Sequence, residues 1–249
     1  MQSEILRIVI MKKSFLVIVL IISVLSIAVV SCKKKENNQE TVVNTYSPTP
    51  GENNTVPTSV LPASLDSIVT QYITIYSGDN PPRFSGQFVS SPHVLIHSTI
   101  ANDTVAVYND RYIAFYKNNE LVDFYGKQWD DEKQEFYHEA FRKLYILGTG
   151  EAFSCYYITE GYPNGMYAKQ STVFSGKWNE SYHGLKDFQV AVILLETSGN
   201  PNLAPVNSFR VLGDGNGLAD TITWIGSKRA IVNDVTVSAE DAFSLFRVK

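Results

Sequence analysis

The sequence predicts a mainly β domain, an antiparallel meander β-barrel or a β-sandwich, with a short helix at each end. Short runs of alternating apolar and polar residues recur along the chain, which is typical of strands with one buried face. Turn-forming pairs, including Asn118-Asn119 and Asn164-Gly165, separate many of them, and such pairs join antiparallel strands. Many strands in sequence, joined by tight turns, favour a barrel or a sandwich.

The first predicted elements are a helix and four strands. In "SLDSIVTQYITIYSG" the apolar side chains recur at helical spacing, and Gly78 can cap the end. Strands follow over "FSGQFVSS" and "HVLIHS". Pro92 separates these two strands and must lie at an edge or a bulge, because it has no amide hydrogen to donate. "RYIAFYK" and "LVDFYGK" form the next predicted hairpin.

The stretch "DDEKQEFYHEAFRKLYI" predicts a second helix, because Phe136, Phe141 and Leu144 share a helical face and acidic residues occupy its first turn. A strand over residues 142–147 is the alternative for its second half. Ser238 and Asp241 resemble a capping box that opens a short C-terminal helix. The remaining strands are predicted over "AFSCYYI", "MYAKQSTVFSGKW", "LKDFQVAVILLET", "SFRVL", "DTITWI" and "AIVNDVTV".

The N-terminal residues have the pattern of an export signal. An uncharged run from Phe15 to Val30 follows Lys12 and Lys13 and precedes three more lysines. As a helix it would span about 24 Å, short of the ~30 Å hydrocarbon core of a bilayer. A signal peptide is therefore favoured over a permanent transmembrane helix. Met11 is a more typical signal start than the first methionine, because two lysines follow it directly.

The residues Val29-Val30-Ser31-Cys32 resemble the lipobox of bacterial lipoproteins. The resemblance implies cleavage between Ser31 and Cys32, a diacylglyceryl group on the cysteine sulfur, and an acyl chain such as palmitate on the new amino terminus. Several acyl chains anchor a protein stably. Lys33 stands where the family carries aspartate for inner-membrane retention, which implies the outer membrane of a Gram-negative-type cell. The alternative is a plain secretory signal with an incidental cysteine.

Three regions follow from this pattern: a signal peptide over 1–31, a lipidated cysteine with a disordered tether over 32–61, and one β-rich domain over 62–249. The tether is rich in asparagine, threonine, serine and proline. Such a composition cannot bury enough apolar surface to offset the entropy of ordering. A flexible tether of this length reaches roughly 30 Å, enough to hold the domain clear of the lipid headgroups.

Charge and cysteine content exclude several classes of partner. The chain carries a formal net charge of −4 at pH 7, and acidic residues outnumber basic ones beyond Ala63. An excess of acidic residues argues against binding to nucleic acid and against direct binding to anionic lipid, because both partners attract basic surfaces. Cys155 is the only cysteine besides Cys32, so no disulfide can form within the lipidated chain. We expect Cys155 to be a small buried apolar side chain.

The stretch "GDGNGLAD" is the one candidate cation site. Asp214, Asn216 and Asp220 place oxygen ligands around Gly217, and calcium prefers hard oxygen ligands in a loop with a sharp bend. Leu212 stands where a complete motif of this kind has a further acid. The alternative is a glycine-rich hairpin between two strands that binds no metal.

The sequence does not predict a catalytic centre. It contains no G-x-S-x-G elbow and no phosphate-binding glycine loop. His93 and His97 would face the same way on a strand but lie about 13 Å apart, too far to chelate one ion unaided. The acidic cluster Asp130, Asp131, Glu132 and Glu135 is explained as the solvated start of the second predicted helix. We therefore expect a protein that is not an enzyme and has no cofactor apart from calcium.

A second resemblance concerns the body of the chain. Gly86-Gln87-Phe88 is similar to the Gly-x-aromatic entry of the first lipocalin strand, with phenylalanine in place of tryptophan. The likeness implies a lipocalin-like barrel that binds a small apolar molecule or a glycan at its mouth. The alternative is a structural or adhesion lipoprotein, or a subunit of an envelope complex, and a hydrolase is the third class.

Overall fold

The computed structural model describes residues 43–118, 121–131, 133–223 and 239–247. The strands are β1 (Asn44–Tyr46), β2 (Asp79–Asn80), β3 (Gly86–Ser90), β4 (His93–Ser98), β5 (Val107–Tyr108), β6 (Arg111–Asn118), β7 (Leu121–Asp130), β8 (Glu135–Thr149), β9 (Ala152–Gly161), β10 (Ala168–Trp178), β11 (Gly184–Glu196), β12 (Phe209–Asp214) and β13 (Leu218–Thr221). The α-helices are α1 (Ala63–Val69) and α2 (Ala239–Ala242), and short 3₁₀ turns occupy Pro163–Gly165, Glu180–Tyr182 and Ser244–Phe246. Within these ranges, no helix combines the length and the apolar character that crossing a bilayer requires.

Eight antiparallel strands form a closed barrel in the order β3, β6, β7, β8, β9, β10, β11 and β13. The ring closes where Asp220 of β13 pairs with Val89 of β3. When β3 with β4, β5 with β6, and β12 with β13 are each taken as one strand, every strand pairs with its neighbour in the chain apart from this closure, so the barrel is an up-and-down meander. The fold class predicted from the sequence is confirmed, and of its two alternatives the barrel is the one observed.

Three of the barrel strands are each divided by an irregularity into two pieces, β3 with β4, β5 with β6, and β12 with β13. The other pieces of these strands pair in the same antiparallel order as the first: β11 with β12, β12 with β4, and β4 with β5. Pro92 lies at the break between β3 and β4, as its missing amide hydrogen predicts. In the turn between β9 and β10, Asn164 and Gly165 have φ of 53° and 75°, the left-handed values expected of a turn pair.

The helix predicted over "DDEKQEFYHEAFRKLYI" is wrong, since residues 135–146 lie in β8, which pairs with β7. The alternative strand over residues 142–147 is the one observed. A bulge explains the misleading pattern. The register shifts so that Val122 pairs with Leu144 and Phe124 with Phe141, and Lys143 has a φ of 60°. Phe141 and Leu144 therefore both face the core three residues apart, which imitates a helix. Of the acidic cluster, Asp130 is the last residue of β7 and Glu135 the first of β8, so these residues do not start a helix, and Glu132 lies outside the described residues.

The predicted boundary between tether and domain at residue 62 requires correction, because residues from Asn44 onward already pack on the barrel. β1 pairs with residues 158–160 of β9, and Val60 and Leu61 are buried. The predicted first helix is confirmed but shorter than its pattern, because α1 ends at Val69. Helix α2 agrees with the predicted C-terminal helix, whereas Ser238 and the predicted strand "AIVNDVTV" lie outside the described residues.

Two apolar clusters hold the fold together, one inside the barrel and one outside it. The outer cluster packs residues of the segment 56–75, including Val60, Leu65, Val69 and Ile73, on the outward side chains of β9 to β12. The inner cluster is dominated by phenylalanine and includes Phe115, Phe124, Phe153, Phe174 and Phe188. Burial of aromatic side chains on this scale is the main stabilising contribution to such a core.

Candidate functional site

Phenylalanine rings fill the middle of the barrel. The Phe124 and Phe174 ring centroids lie 4.6 Å apart, and those of Phe115 and Phe124 lie 5.4 Å apart. One end of the barrel is covered by Phe84, whose ring stacks on Trp178 at 5.6 Å. These contacts place side chains where the sequence predicted the space for an apolar ligand.

The C-terminal residues cover the other end of the barrel. Phe243 and Phe246 are fully buried in the inner cluster, and the amide of Ala204 donates to the carbonyl oxygen of Phe246 at 2.8 Å. Gln170 Nε2 donates to the carbonyl oxygen of Ala242 at 2.6 Å. Side chains of the chain itself therefore pack on the inner cluster near both ends of the barrel, within the part of the chain that the structure describes.

A buried ion pair lies beneath the C-terminal residues. Arg111 forms a salt bridge with Glu139 and donates from Nη1 to the Tyr137 hydroxyl at 3.1 Å. Burial alone would lower the pKa of Arg111, but the carboxylate of Glu139 raises it, so the guanidinium stays charged. A polar chamber of about 10 Å³ adjoins the pair and is lined by Arg111, Tyr137, Glu139, Tyr157, Gln170 and Thr172 among others.

His93 and His97 lie on opposite faces of β4, not on the same face. A bulge at Ile96 causes this, because Leu95 pairs with Leu212 while His97 pairs with Val211. His93 is buried and its Nδ1 lies 3.0 Å from Ser90 Oγ. His97 stacks on Tyr72 at 3.6 Å. Over the described ranges, no three histidine, cysteine or acidic side chains are grouped as metal ligands.

Acidification is expected to destabilise the fold through His93. Burial, and then the charge of Arg111, lower the pKa of His93 to about 3, from 6.5 in the unfolded chain. The unfolded state therefore binds the proton more tightly, and stability falls by roughly 1.4 kcal/mol per pH unit as pH drops from 6.5 towards 3. Urea unfolding at pH 7 and pH 4.5 measures this loss. Between these pH values the free energy of unfolding of the His93→Gln variant should fall by roughly 2–3 kcal/mol less than that of the parent. Equal losses in the two proteins would contradict a lowered pKa of His93.

The residues of the predicted calcium loop form the connection between β12 and β13. Asp214 Oδ1 accepts from the amides of Asn216 and Leu218 at 3.1 Å each, and Oδ2 accepts from the Ser91 amide at 2.9 Å. Asp220 lies in β13 and pairs with Val89. Calcium binding here stays a prediction. A fall in melting temperature on addition of EGTA would support it, and an unchanged melting temperature would remove it.

Cys155 is fully buried in the inner cluster, as predicted. Burial raises the pKa of its thiol, which keeps it protonated and unreactive at neutral pH.

An open cleft of about 530 Å³ lies on the outside of the barrel, beside β8. Three chain segments form it: residues 49–54, residues 78–83 and residues 145–147. Its polar lining includes Asn54, Asp79, Asn80 and Arg83, and its apolar lining includes Pro50, Pro81, Tyr145 and Ile146. The volume falls within the range of ~300–1,000 Å³ that is usual for small-molecule sites.

Glycines allow the cleft segments to approach β8 closely. β2 pairs in parallel with residues 148–149 of β8, and the amide of Gly148 donates to the carbonyl oxygen of Gly78 at 3.1 Å. Gly78 has a φ of 119°, and a Cβ there would lie 2.7 Å from the Gly148 carbonyl oxygen. Only glycine fits this position, so Gly78 fixes where residues 79–83 meet the barrel.

No model of a known protein family matches this chain, and no curated protein or solved structure is similar enough to count as a match. Of the cleft residues, the stretch "GDNPPR" over residues 78–83 contains two adjacent prolines, which are typical of a turn. Tyr145 was predicted on a helix, with a strand over residues 142–147 as the alternative.

Proposed function

We propose that this protein is an outer-membrane lipoprotein, anchored through Cys32, whose barrel domain binds a glycan in the outer cleft without catalysing a reaction. The anchor follows from the lipobox-like residues Val29 to Cys32. The ligand class follows from the chemistry of the cleft. The observation that carries the proposal is an aromatic ring beside several planar polar side chains in a cleft of ligand size, on a barrel whose interior is filled.

The lining of the cleft suits a sugar better than an apolar molecule. Each sugar hydroxyl both donates and accepts hydrogen bonds. Asn54 and Asn80 offer amides that do both, Asp79 offers acceptors and Arg83 offers donors. Tyr145 supplies an aromatic face against which the C–H face of a sugar ring can stack. An apolar ligand would leave these polar groups unpaired, which costs binding free energy.

Lipid attachment predicts a difference between the two cysteines of the chain. We expect Cys32→Ala to abolish incorporation of labelled palmitate in the producing bacterium and to release the protein from the membrane fraction. Cys155→Ala is the matched control, because Cys155 is buried in the barrel, and it should leave labelling unchanged. Labelling that survives Cys32→Ala would contradict the anchor.

Glycan binding in the cleft is tested by a glycan array, followed by titration calorimetry with the best ligand. The chain carrying Cys32→Ser serves as the soluble parent. We expect Tyr145→Ala and Arg83→Ala each to weaken binding at least tenfold, a loss of about 1.4 kcal/mol or more. Tyr162→Ala is the control, because Tyr162 is half-exposed and lies outside the cleft. An array without a hit, or equal affinities for all variants, would overturn the proposal.

A second candidate function is an interaction protein of the cell envelope. It is favoured by the exposed β-branched side chains Ile96, Val105 and Val107, which are 42%, 46% and 59% exposed at β4 and the start of β5. Clustered apolar side chains on a surface mark interaction sites. A negative glycan array would make this second candidate the better supported one.

A further inference from the structure

Four connections of the chain lie at the end of the barrel that the C-terminal residues cover. Successive strands of an up-and-down barrel run in opposite directions, so the connections 99–106, 131–134, 162–167 and 197–208 share this end. We call three of them, residues 99–106, 162–167 and 197–208, the loop rim.

Hydrogen bonds hold the three loops of the rim side by side. Asn200 Nδ2 donates to the carbonyl oxygen of Pro163 at 2.9 Å. The amide of Thr99 donates to the carbonyl oxygen of Phe209 at 3.0 Å, and the amide of Phe209 donates to Thr99 Oγ1 at 2.8 Å. Because Phe209 directly follows the loop 197–208, these contacts place the three loops along one continuous edge.

The loop rim carries almost no charge. Among its residues, only Asp103 is charged at neutral pH. Its carboxylate forms a salt bridge with Arg210, and the two side chains are 3% and 10% exposed. Charged side chains normally lie on the surface that faces water. The rim can therefore lose its contact with water at low cost, because it has no exposed charge to desolvate.

Exposed apolar side chains are concentrated at this end of the barrel. Val105, Tyr162 and Val206 of the rim are 46%, 50% and 45% exposed, and Tyr46 and Val107 beside the rim are exposed as well. In the described loops of the opposite end, residues 150–151 and 179–183, no large apolar side chain is exposed. The two ends of the barrel therefore differ in the apolar surface of their loops.

The N-terminal part of the domain joins the barrel at the same end. Asn44 pairs with Glu160, the second-last residue of β9, close to the loop that begins at Tyr162. Only eleven residues separate Cys32 from Asn44, and a chain of that length spans at most roughly 40 Å. A lipid anchor at Cys32 therefore holds the rim end within reach of the bilayer. The rim needs only a weak affinity of its own, because anchoring raises its local concentration at the membrane.

We propose that the loop rim is a membrane-docking surface, through which Val105, Tyr162 and Val206 enter the headgroup region of the bilayer that anchors the chain. The proposal rests on the anchor at Cys32 proposed above. Valine gains free energy by leaving water, and tyrosine, with an apolar ring and a polar hydroxyl, is enriched at membrane–water interfaces. The contact depends on apolar and aromatic side chains, not on attraction between charges, so it is compatible with an acidic chain.

This orientation leaves the outer cleft open to solvent. The cleft is lined by residues 145–147 of β8, and β8 ends at Thr149, at the turn to β9. That turn lies at the end of the barrel opposite the rim. A barrel that docks through the rim therefore directs the cleft away from the bilayer.

Spin labels on the lipidated chain in phosphatidylcholine vesicles test the orientation. A nitroxide is attached to one introduced cysteine, in Tyr162→Cys, Val206→Cys or Glu180→Cys. Glu180 is the control, because it is exposed in the 3₁₀ turn at the opposite end. Cys155 is buried and Cys32 is acylated, so neither reacts with the label. We expect the ratio of collisions with oxygen to collisions with a water-soluble nickel complex to be roughly threefold higher, or more, at the two rim positions than at residue 180.

Flotation of the vesicles separates this proposal from the anchor. A chain that does not float with the vesicles contradicts the anchor at Cys32. A chain that floats, but whose three labels give equal ratios, contradicts the rim and leaves the anchor standing. A rim that binds a partner protein and not lipid would give this second result as well, because the vesicles contain no other protein.

The soluble Cys32→Ser chain tests the rim without the anchor. We expect the double variant Tyr162→Ser with Val206→Ser to partition onto phosphatidylcholine vesicles about tenfold more weakly than the parent, because it loses apolar surface without gaining charge. Ile68→Ser is the matched control, because it removes an exposed apolar side chain from α1, and it should leave the partition unchanged. Melting temperatures verify that all three proteins are folded. A parent that does not partition, or equal partition of the parent and the double variant, would overturn the docking surface.

Discussion

Replacing Phe174 with alanine is expected to lower the free energy of unfolding by about 3–5 kcal/mol. Phe174 is fully buried and its ring contacts those of Phe115, Phe124, Tyr157 and Phe188. Its removal leaves a cavity that the surrounding rings cannot close, because they are held by the barrel backbone. Urea unfolding followed by tryptophan fluorescence measures the loss.

Phe136→Ala is the control for this change. Phe136 lies on the outer face of β8 and is 38% exposed, so its replacement should cost no more than about 1 kcal/mol. If the two variants lose equal stability, the interior is not packed as the structure describes.

Replacing Arg111 with methionine is expected to cost about 3–5 kcal/mol, because it leaves the Glu139 carboxylate without its charged partner in a buried site. The side chains of Arg111 and Glu139 are 5% and 16% exposed. Adding Glu139→Leu to Arg111→Met should recover much of the loss, since an apolar pair of similar volume is tolerated in such sites. Thermal and urea unfolding of the single and double variants measure both effects.

Lys177→Met is the matched control, because it breaks an ion pair with Asp187 whose side chains are 37% and 47% exposed. Exposed pairs contribute little, so the expected loss is under about 1 kcal/mol. If the double variant is no more stable than Arg111→Met alone, the loss does not come from the unpaired Glu139 carboxylate, and the explanation given for Arg111→Met is wrong.

The correct predictions about the barrel rest on patterns that involve only a few residues adjacent in the chain. Strand alternation, the Asn164-Gly165 turn and the break at Pro92 each depend on a few adjacent residues. The hairpin of β6 and β7 was also predicted, with Asn118-Asn119 as its turn pair, whereas Asn118 is the last residue of β6 and pairs with Leu121. These features determine which consecutive strands pair, but closure depends on the pairing of β13 with β3, which is distant in sequence, so the sequence left a barrel and a sandwich as alternatives.

The errors arise where a bulge changes the strand period. The bulge at Arg142 and Lys143 produced a helix-like spacing in β8, and the bulge at Ile96 placed His93 and His97 on opposite faces. Neither bulge has a glycine or proline to mark it. The packing of residues 43–61 on the barrel was also missed. The segment is polar, and nothing in its own residues indicates that its backbone pairs with residues 158–160 of β9.

The candidate site could not be predicted because its parts are far apart in the sequence. Residues 49–54, 78–83 and 145–147 meet only after the barrel has closed. The lipocalin resemblance implied a ligand at the mouth of the barrel, and the sequence could not show which side chains converge outside it. The filled interior was equally hidden, because a row of inward phenylalanines gives the same alternation whether it lines a cavity or fills it.

Native mass spectrometry of the Cys32→Ser chain, purified without organic solvent, tests most directly whether the ligand site lies outside a filled barrel. The filled barrel predicts the mass of the bare polypeptide, and the proposed function predicts a 1:1 complex with the array-selected glycan that is weakened by Tyr145→Ala. A purified protein that carries an apolar molecule of a few hundred daltons, released on collisional activation and unaffected by Tyr145→Ala, would contradict it.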